Sequence, residues 1–233
     1  MNFTLTPRIL NILSHINGPT AADIGTDHAY VPIELIKRGI CTKVIASDVR
    51  QGPVDIAKDN IRKHETSDKI EVRTGSGLSV LAPGEVDDII IAGMGGELIC
   101  DIIKSDYETA VKSRLILQPM NSQYELRHYL IENGFKIVSE DISVEGFKVY
   151  NLIIAESGKG APFECDGYYH LPPYLKEHEN YKALYDKKMR EFNKVIDGIK
   201  HSAKPDLNKL ALYIDWREDI NNFTKNPTSD GMT

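Results

Sequence analysis

From residue 20 to about residue 157, short β-rich runs alternate with helical patterns, and this rhythm constrains the chain most. The spacing predicts strands at 21–24, 43–47, 70–73, 87–92 and 114–117, with helices near 30–37, 52–61, 96–105 and 124–132. Such alternation implies parallel strands joined by crossover helices. Asp87-Asp88-Ile89-Ile90-Ile91-Ala92 ends in a continuous apolar run. A central strand buried on both faces needs that. Gly39 stops the first of these helices, Pro53 opens the second, and Asn133-Gly134 ends the last. The rhythm then breaks. Runs at 135–143 and 147–155 have only Glu145-Gly146 as their turn, so they form an antiparallel hairpin. The expected fold class is α/β: a seven-stranded, mostly parallel, Rossmann-like sheet.

What flanks this body is of another kind. Ile9, Leu10, Ile12, Leu13 and Ile16 lie at helical spacing, interrupted by Asn11, Ser14 and His15, so an amphipathic helix is expected there and not a secretory signal. Residues 158–169, beginning Gly158-Lys159-Gly160-Ala161-Pro162, read as a linker. Beyond it Tyr174, His178, Tyr181, Tyr185, Met189, Phe192, Val195 or Ile196, and Ile199 form one apolar stripe. After Pro205, Leu207, Leu210, Ala211, Ile214 and Phe223 suggest a returning helix. The expected organisation is therefore a domain at 1–157, a coiled-coil-like helical hairpin at 170–225 and a disordered tail at 226–233. No run of 18 apolar residues occurs, so no membrane partner is expected. Cys41, Cys100 and Cys165 lack CxxC spacing, which suggests reduced thiols in the cytoplasm and no metal site.

Chemistry is expected where the parallel strands end, because ligands of open α/β sheets bind at that edge. The first such loop is Asp23-Ile24-Gly25-Thr26-Asp27. Gly25 permits a tight turn and close approach to a ligand. The loop lacks the further glycines of a pyrophosphate cradle, and its carboxylates suit a cation. S-adenosylmethionine carries a sulfonium and an α-ammonium group, and Asp23 is placed to hold the ammonium. Asp48 closes the second strand, 23 residues after Gly25, where an acid accepts the two ribose hydroxyls of an adenosine. Gly75, Ser76 and Gly77 follow the third strand, Ala92-Gly93-Met94-Gly95-Gly96 the fourth, and Gln118-Pro119-Met120-Asn121 the fifth. Gln118 and Asn121 can both donate and accept, as base recognition requires.

Taken together, these loops resemble the bacterial tRNA (adenine-N1)-methyltransferases of the TrmK type. The resemblance rests on ADIGTDHAYVP (22–32), ASDV (46–49), GSGL (75–78), IAGMGG (91–96) and LILQPMN (115–121). It covers roughly residues 5–157 closely and the tail in outline. It implies a class I methyltransferase fold, S-adenosylmethionine as cofactor and adenine 22 of tRNA as target. Asp23, Gly25, Thr26, Asp48, Val49, Gly75, Ser76, Gly77, Ala92, Gly93 and Met94 would then hold the cofactor. Gly95, Gln118 and Asn121 would face the base. Asp27 would accept a hydrogen bond from the target's exocyclic amine, His28 would orient it, and Tyr30 would stack on the base. Two positions depart from the family pattern, Ser76 in place of Asp and Met120 in place of Asn.

Charge suggests where RNA would be held. The chain carries −6 overall, yet residues 170–204 hold eight Lys or Arg against five Asp or Glu. Lys187, Lys188 and Arg190 form the densest group and are the expected phosphate contacts. A monomer or weak homodimer is expected. Three alternatives remain open at this level: a small-molecule methyltransferase, an NAD-dependent oxidoreductase and a non-catalytic tRNA-binding module.

Overall fold

The computed structural model describes residues 5–225, so the expected tail at 226–233 lies outside the described residues. The chain divides after Ala161 into two compact units. In the first, helix α1 (Pro7–Ser14) starts on a Thr6 cap with Pro7 in its first turn. Its buried Ile9, Ile12 and Leu13 form the amphipathic face, while Leu10, expected with them, is exposed. Strand β1 (Thr20–Ile24), helix α2 (Tyr30–Lys37), strand β2 (Lys43–Asp48), helix α3 (Gln51–Lys63) and strand β3 (Ile70–Thr74) follow. A single 3-10 turn at Gly77–Val80 precedes β4 (Asp88–Met94), α4 (Gly96–Ser105), the short α5 (Tyr107–Ala110), β5 (Arg114–Pro119) and α6 (Gln123–Glu132). The hairpin is β6 (Phe135–Glu145) and β7 (Lys148–Ser157).

The strands form one sheet in the order β3-β2-β1-β4-β5-β7-β6. β7 is antiparallel to both its neighbours, and the pairs among β1 to β5 are parallel. Ile89, Ile90 and Ile91 of β4 are fully buried. Ile90 packs with Ile9, Ile33, Ala57 and Ile61 from α1, α2 and α3. Ile89 and Ile91 pack with Ile99, Ile103, Ala110, Leu126 and Leu130 from α4, α5 and α6. The unbroken apolar run thus serves two cores, one on each face. Strand order reverses between β1 and β4, which opens a crevice at their carboxyl ends. Beneath α6 lies a fully buried bidentate ion pair. Arg127 Nε and Nη2 donate to the two carboxylate oxygens of Glu140 on β6, at 2.9 and 2.7 Å.

The second unit contains α7 (Gly167–His170), a 3-10 turn (Pro173–Leu175), α8 (Tyr181–Lys200) and α9 (Leu207–Lys225). Several details differ from the sequence expectation, among them the exposure of Tyr174 and Leu207, which the apolar stripes included. α7 begins inside the expected linker, at Gly167, whose N–H donates to Asp219 of α9 at 3.2 Å. The bare glycine lets α9 approach, because a Cβ there would stand 2.5 Å from that of Asp219. The buried seam of α8 is Tyr181, Leu184, Lys188, Phe192 and Ile196, so Tyr185 and Met189 are only half-buried. Phe192, Tyr213, Trp216 and His170 form an aromatic cluster that knits α7, α8 and α9 together.

Candidate active site

The crevice at the sheet's carboxyl edge is a cavity of about 790 Å³. That volume falls in the ~300–1,000 Å³ range of small-molecule sites. Every sequence-predicted cofactor residue lines it: Asp23, Gly25, Thr26, Asp48, Val49, Gly75, Ser76, Gly77, Ala92, Gly93 and Met94. So do Asp27, His28 and Tyr30.

The floor follows from the loop after β1. Gly25 takes φ +79°, and the N–H groups of Gly25 and Thr26 both donate to the Ser47 carbonyl, at 2.8 and 2.7 Å. This draws the ends of β1 and β2 together. A Cβ at Gly25 would collide with the terminal methyl of Met94, so Met94 closes over the turn. A bulge in β4 between Ala92 and Met94, with Gly93 at φ +78°, aims that side chain inward. Asp23 is buried, and burial pushes its carboxyl up from 3.8 to about 6, against the opposing pull of Thr26 and Arg8. Asp48 is also buried, with one carboxylate oxygen accepting the N–H of Arg50 at 2.8 Å and facing Arg50 Nε at 3.4 Å.

At the lip, Asp27 and His28 form a solvent-facing pair, His28 Nε2 to Asp27 Oδ2 at 3.2 Å. The His28 ring stacks on Tyr30 with centroids 5.2 Å apart. Asn60 of α3 fixes the loop from outside by donating to the His28 carbonyl at 3.0 Å. Ala29, the residue before α2, holds the left-handed conformation at φ 56°, and α2 has no side-chain cap. Asp27 is therefore not engaged in capping that helix, and it pairs with His28.

Other expected residues stand elsewhere. Gln118 is buried, accepting from Arg8 Nη1 at 3.2 Å and donating to the Pro119 carbonyl at 3.2 Å. Those bonds tie it to the protein, outside the lining of the cavity. Gly95 and Asn121 lie against each other just behind Met94, with Asn121 Oδ1 2.9 Å from where a Gly95 Cβ would be. A Cβ at Gly96 would strike the Ser122 carbonyl. The glycines at 95 and 96 therefore admit the neighbouring loop. Two backbone bonds stitch these loops: Met120 N–H to Met94 O at 2.8 Å and Gly96 N–H to Asn121 O at 3.1 Å. In the second unit Lys188 is buried and paired with Glu191 at 2.9 Å, unlike the exposed cation expected of a phosphate contact. Its long apolar stem fits the seam of α8. Lys187 is half-buried and Arg190 is exposed.

Sequence reasoning missed three parts of the lining. Thr6, Arg8, Ile9 and Ile12 of α1 form one wall. Arg50 stands beside Asp48. Leu98 and Ile102 supply an apolar face on α4. The last had a signal: they sit one position before the buried Ile99 and Ile103, making the apolar stripe of α4 wider than its core needs. Arg8 had none, because its contact with Gln118 spans 110 residues.

The lining fits S-adenosylmethionine. It supplies a buried carboxylate that would suit an ammonium, an acid at the end of β2 that would suit a ribose, left-handed glycines that bare the backbone, and apolar Val49, Leu98 and Ile102 that would suit an adenine. Fold and site together define a class I methyltransferase. Residues 5–153 match the family described as "Methyltransferase domain". The tRNA (adenine(22)-N(1))-methyltransferase of Bacillus subtilis is 32% identical over 216 residues, covering 89% of this chain and 91% of that protein. The crystal structure of the B. subtilis m1A22 tRNA methyltransferase TrmK superposes with a TM-score of 0.85 at 29% identity, over 96% of this chain and all of that one. A Streptococcus pneumoniae chain solved in complex with S-adenosyl-L-methionine gives 0.83 at 31%, over 95% of this chain and all of that one. The chain belongs to the tRNA (adenine(22)-N1)-methyltransferase family.

Proposed function

We propose that this chain transfers a methyl group from S-adenosylmethionine to N1 of adenine 22 in tRNA. The observation that carries this is one cavity in a chain of this family. It joins the buried Asp23, Asp48 and bare glycine loops to an exposed Asp27–His28–Tyr30 lip. When bound, S-adenosylmethionine supplies an electrophilic methyl group. Asp23 holds its ammonium, Asp48 accepts its ribose hydroxyls, and Val49, Leu98 and Ile102 enclose its adenine.

The lip serves the target base. N1 of adenine is a weak nucleophile, so catalysis is mainly positioning. As N1 gains a bond the ring becomes cationic and its exocyclic amine more acidic. Asp27 accepts a hydrogen bond from that amine and stabilises the growing charge. His28 holds Asp27 in place, and Tyr30 supplies a face on which the extruded base stacks. Lys187 and Arg190 of α8 contact the tRNA phosphates, without Lys188. No described helix is long and apolar enough to cross a membrane. With three free thiols and a tRNA substrate, the reading places the protein in the cytoplasm.

The test is transfer of label from S-adenosylmethionine to unmodified tRNA, with the modified nucleotide mapped. One m1A at position 22 is expected. Transfer to another atom or nucleotide, or none, would overturn the assignment.

A further inference from the structure

We infer that Arg8 is the carboxylate-binding residue of the cofactor site, so that α1 closes the amino-acid end of the cavity. This rests on the cavity holding S-adenosylmethionine. The amino-acid head of that molecule is a zwitterion, with an ammonium and a carboxylate on one carbon. Asp23 matches only the ammonium. Without a nearby cation the ligand's carboxylate would sit beside a buried carboxylate, where repulsion and desolvation both oppose binding.

Two guanidinium groups line the cavity. Arg50 is engaged at the ribose end, 3.4 Å from Asp48. Arg8 stands at the other end. Its Nη1 donates to Gln118 at 3.2 Å, and its guanidinium carbon lies 5.6 Å from the centre of the Tyr150 ring. The same Nη1 is 3.5 Å from the place a Gly93 Cβ would occupy, beside the loop that carries Met94. The positive charge of Arg8 also acts on Asp23. Gln118 uses one of five N–H donors and Tyr150 backs the plane, so the fork is oriented with donors to spare. A guanidinium held in this way suits bidentate capture of a carboxylate. The burial of Gln118 acquires a purpose here: it is a positioning residue for Arg8.

Calorimetry with two probes tests this. S-adenosylhomocysteine carries the amino-acid head, and 5′-methylthioadenosine lacks it. Arg8→Met is expected to weaken S-adenosylhomocysteine about 10- to 100-fold. Its affinity for methylthioadenosine should stay within about twofold. Arg8→Lys should recover part of the loss. Arg8→Gln replaces Arg8→Met should the latter fail to fold. Unchanged S-adenosylhomocysteine binding, or equal weakening of both probes, would overturn the assignment. So would lost tRNA affinity with cofactor affinity intact, which would put the guanidinium on RNA. A wild-type protein that bound neither probe would sink the cofactor reading itself, and this assignment with it.

Discussion

Asp23 sits where a carboxylate is costly, and that cost sets the pH behaviour of the free protein. Its carboxyl titrates near 6 when folded against about 3.8 otherwise. The folded state therefore holds a proton that the unfolded chain has already lost. Stability from this group is fully present below about 3.8 and is lost as the pH rises through about 6. Cofactor binding runs the other way, because an ammonium needs the ionised acid. Affinity for S-adenosylhomocysteine should rise with pH up to about 6 and then level off, with a proton released on binding below that point. Calorimetry in buffers of different ionisation enthalpy would measure it. Asp23→Asn should remove the pH dependence, weaken the ligand and stabilise the empty protein at neutral pH by roughly 2–3 kcal/mol. Asp27 is the contrasting acid, with its side chain 65% exposed beside His28. Asp27→Ala should reduce the methylation rate by about 10²- to 10⁴-fold while cofactor affinity stays within about twofold. Single-turnover methylation and a binding titration separate the two, and parallel loss of both would refute the role given to Asp27.

At the level of elements, two features can be tested separately. The Arg127–Glu140 pair ties α6 to β6 with both side chains wholly buried. Glu140→Ala removes the carboxylate that faces a buried guanidinium, which should cost about 3–5 kcal/mol in denaturant unfolding. The double variant Arg127→Met with Glu140→Leu should recover most of that loss. On α8, replacing Lys187 and Arg190 with Ala should lower tRNA affinity and reduce the salt dependence of log K by about 0.7–0.9 per lost contact. Lys188→Met should leave that slope unchanged, because its ammonium already faces Glu191. A fall in slope for Lys188→Met would restore it as a phosphate contact.

For the molecule as a whole, the features legible in sequence were local ones. Each parallel strand announced itself as a short apolar run followed by a turn, and β1 to β5 begin within one residue of where the pattern put them. The loops that line the cavity were legible for the same reason, since each directly follows one of those runs. Contacts between distant residues were not. Gln118 carried the chemistry of base recognition, and only its 110-residue bond to Arg8 shows it occupied. Lys188 carried the charge of a phosphate contact, and only the packing of α8 shows that its position belongs to the seam. The contacts of α1 have a bearing on how the protein is made. This helix precedes the rest of the sheet unit in the chain, yet it packs on β6 and β7, which come last. During synthesis the wall that carries Arg8 can rest on α2 early, but its fuller packing waits for the final hairpin to leave the ribosome. Assembly of the pocket thus depends on a contact of very high sequence separation, the kind that forms slowly. A nascent chain stalled before β7 would hold nearly every cofactor-binding residue and still lack a closed pocket.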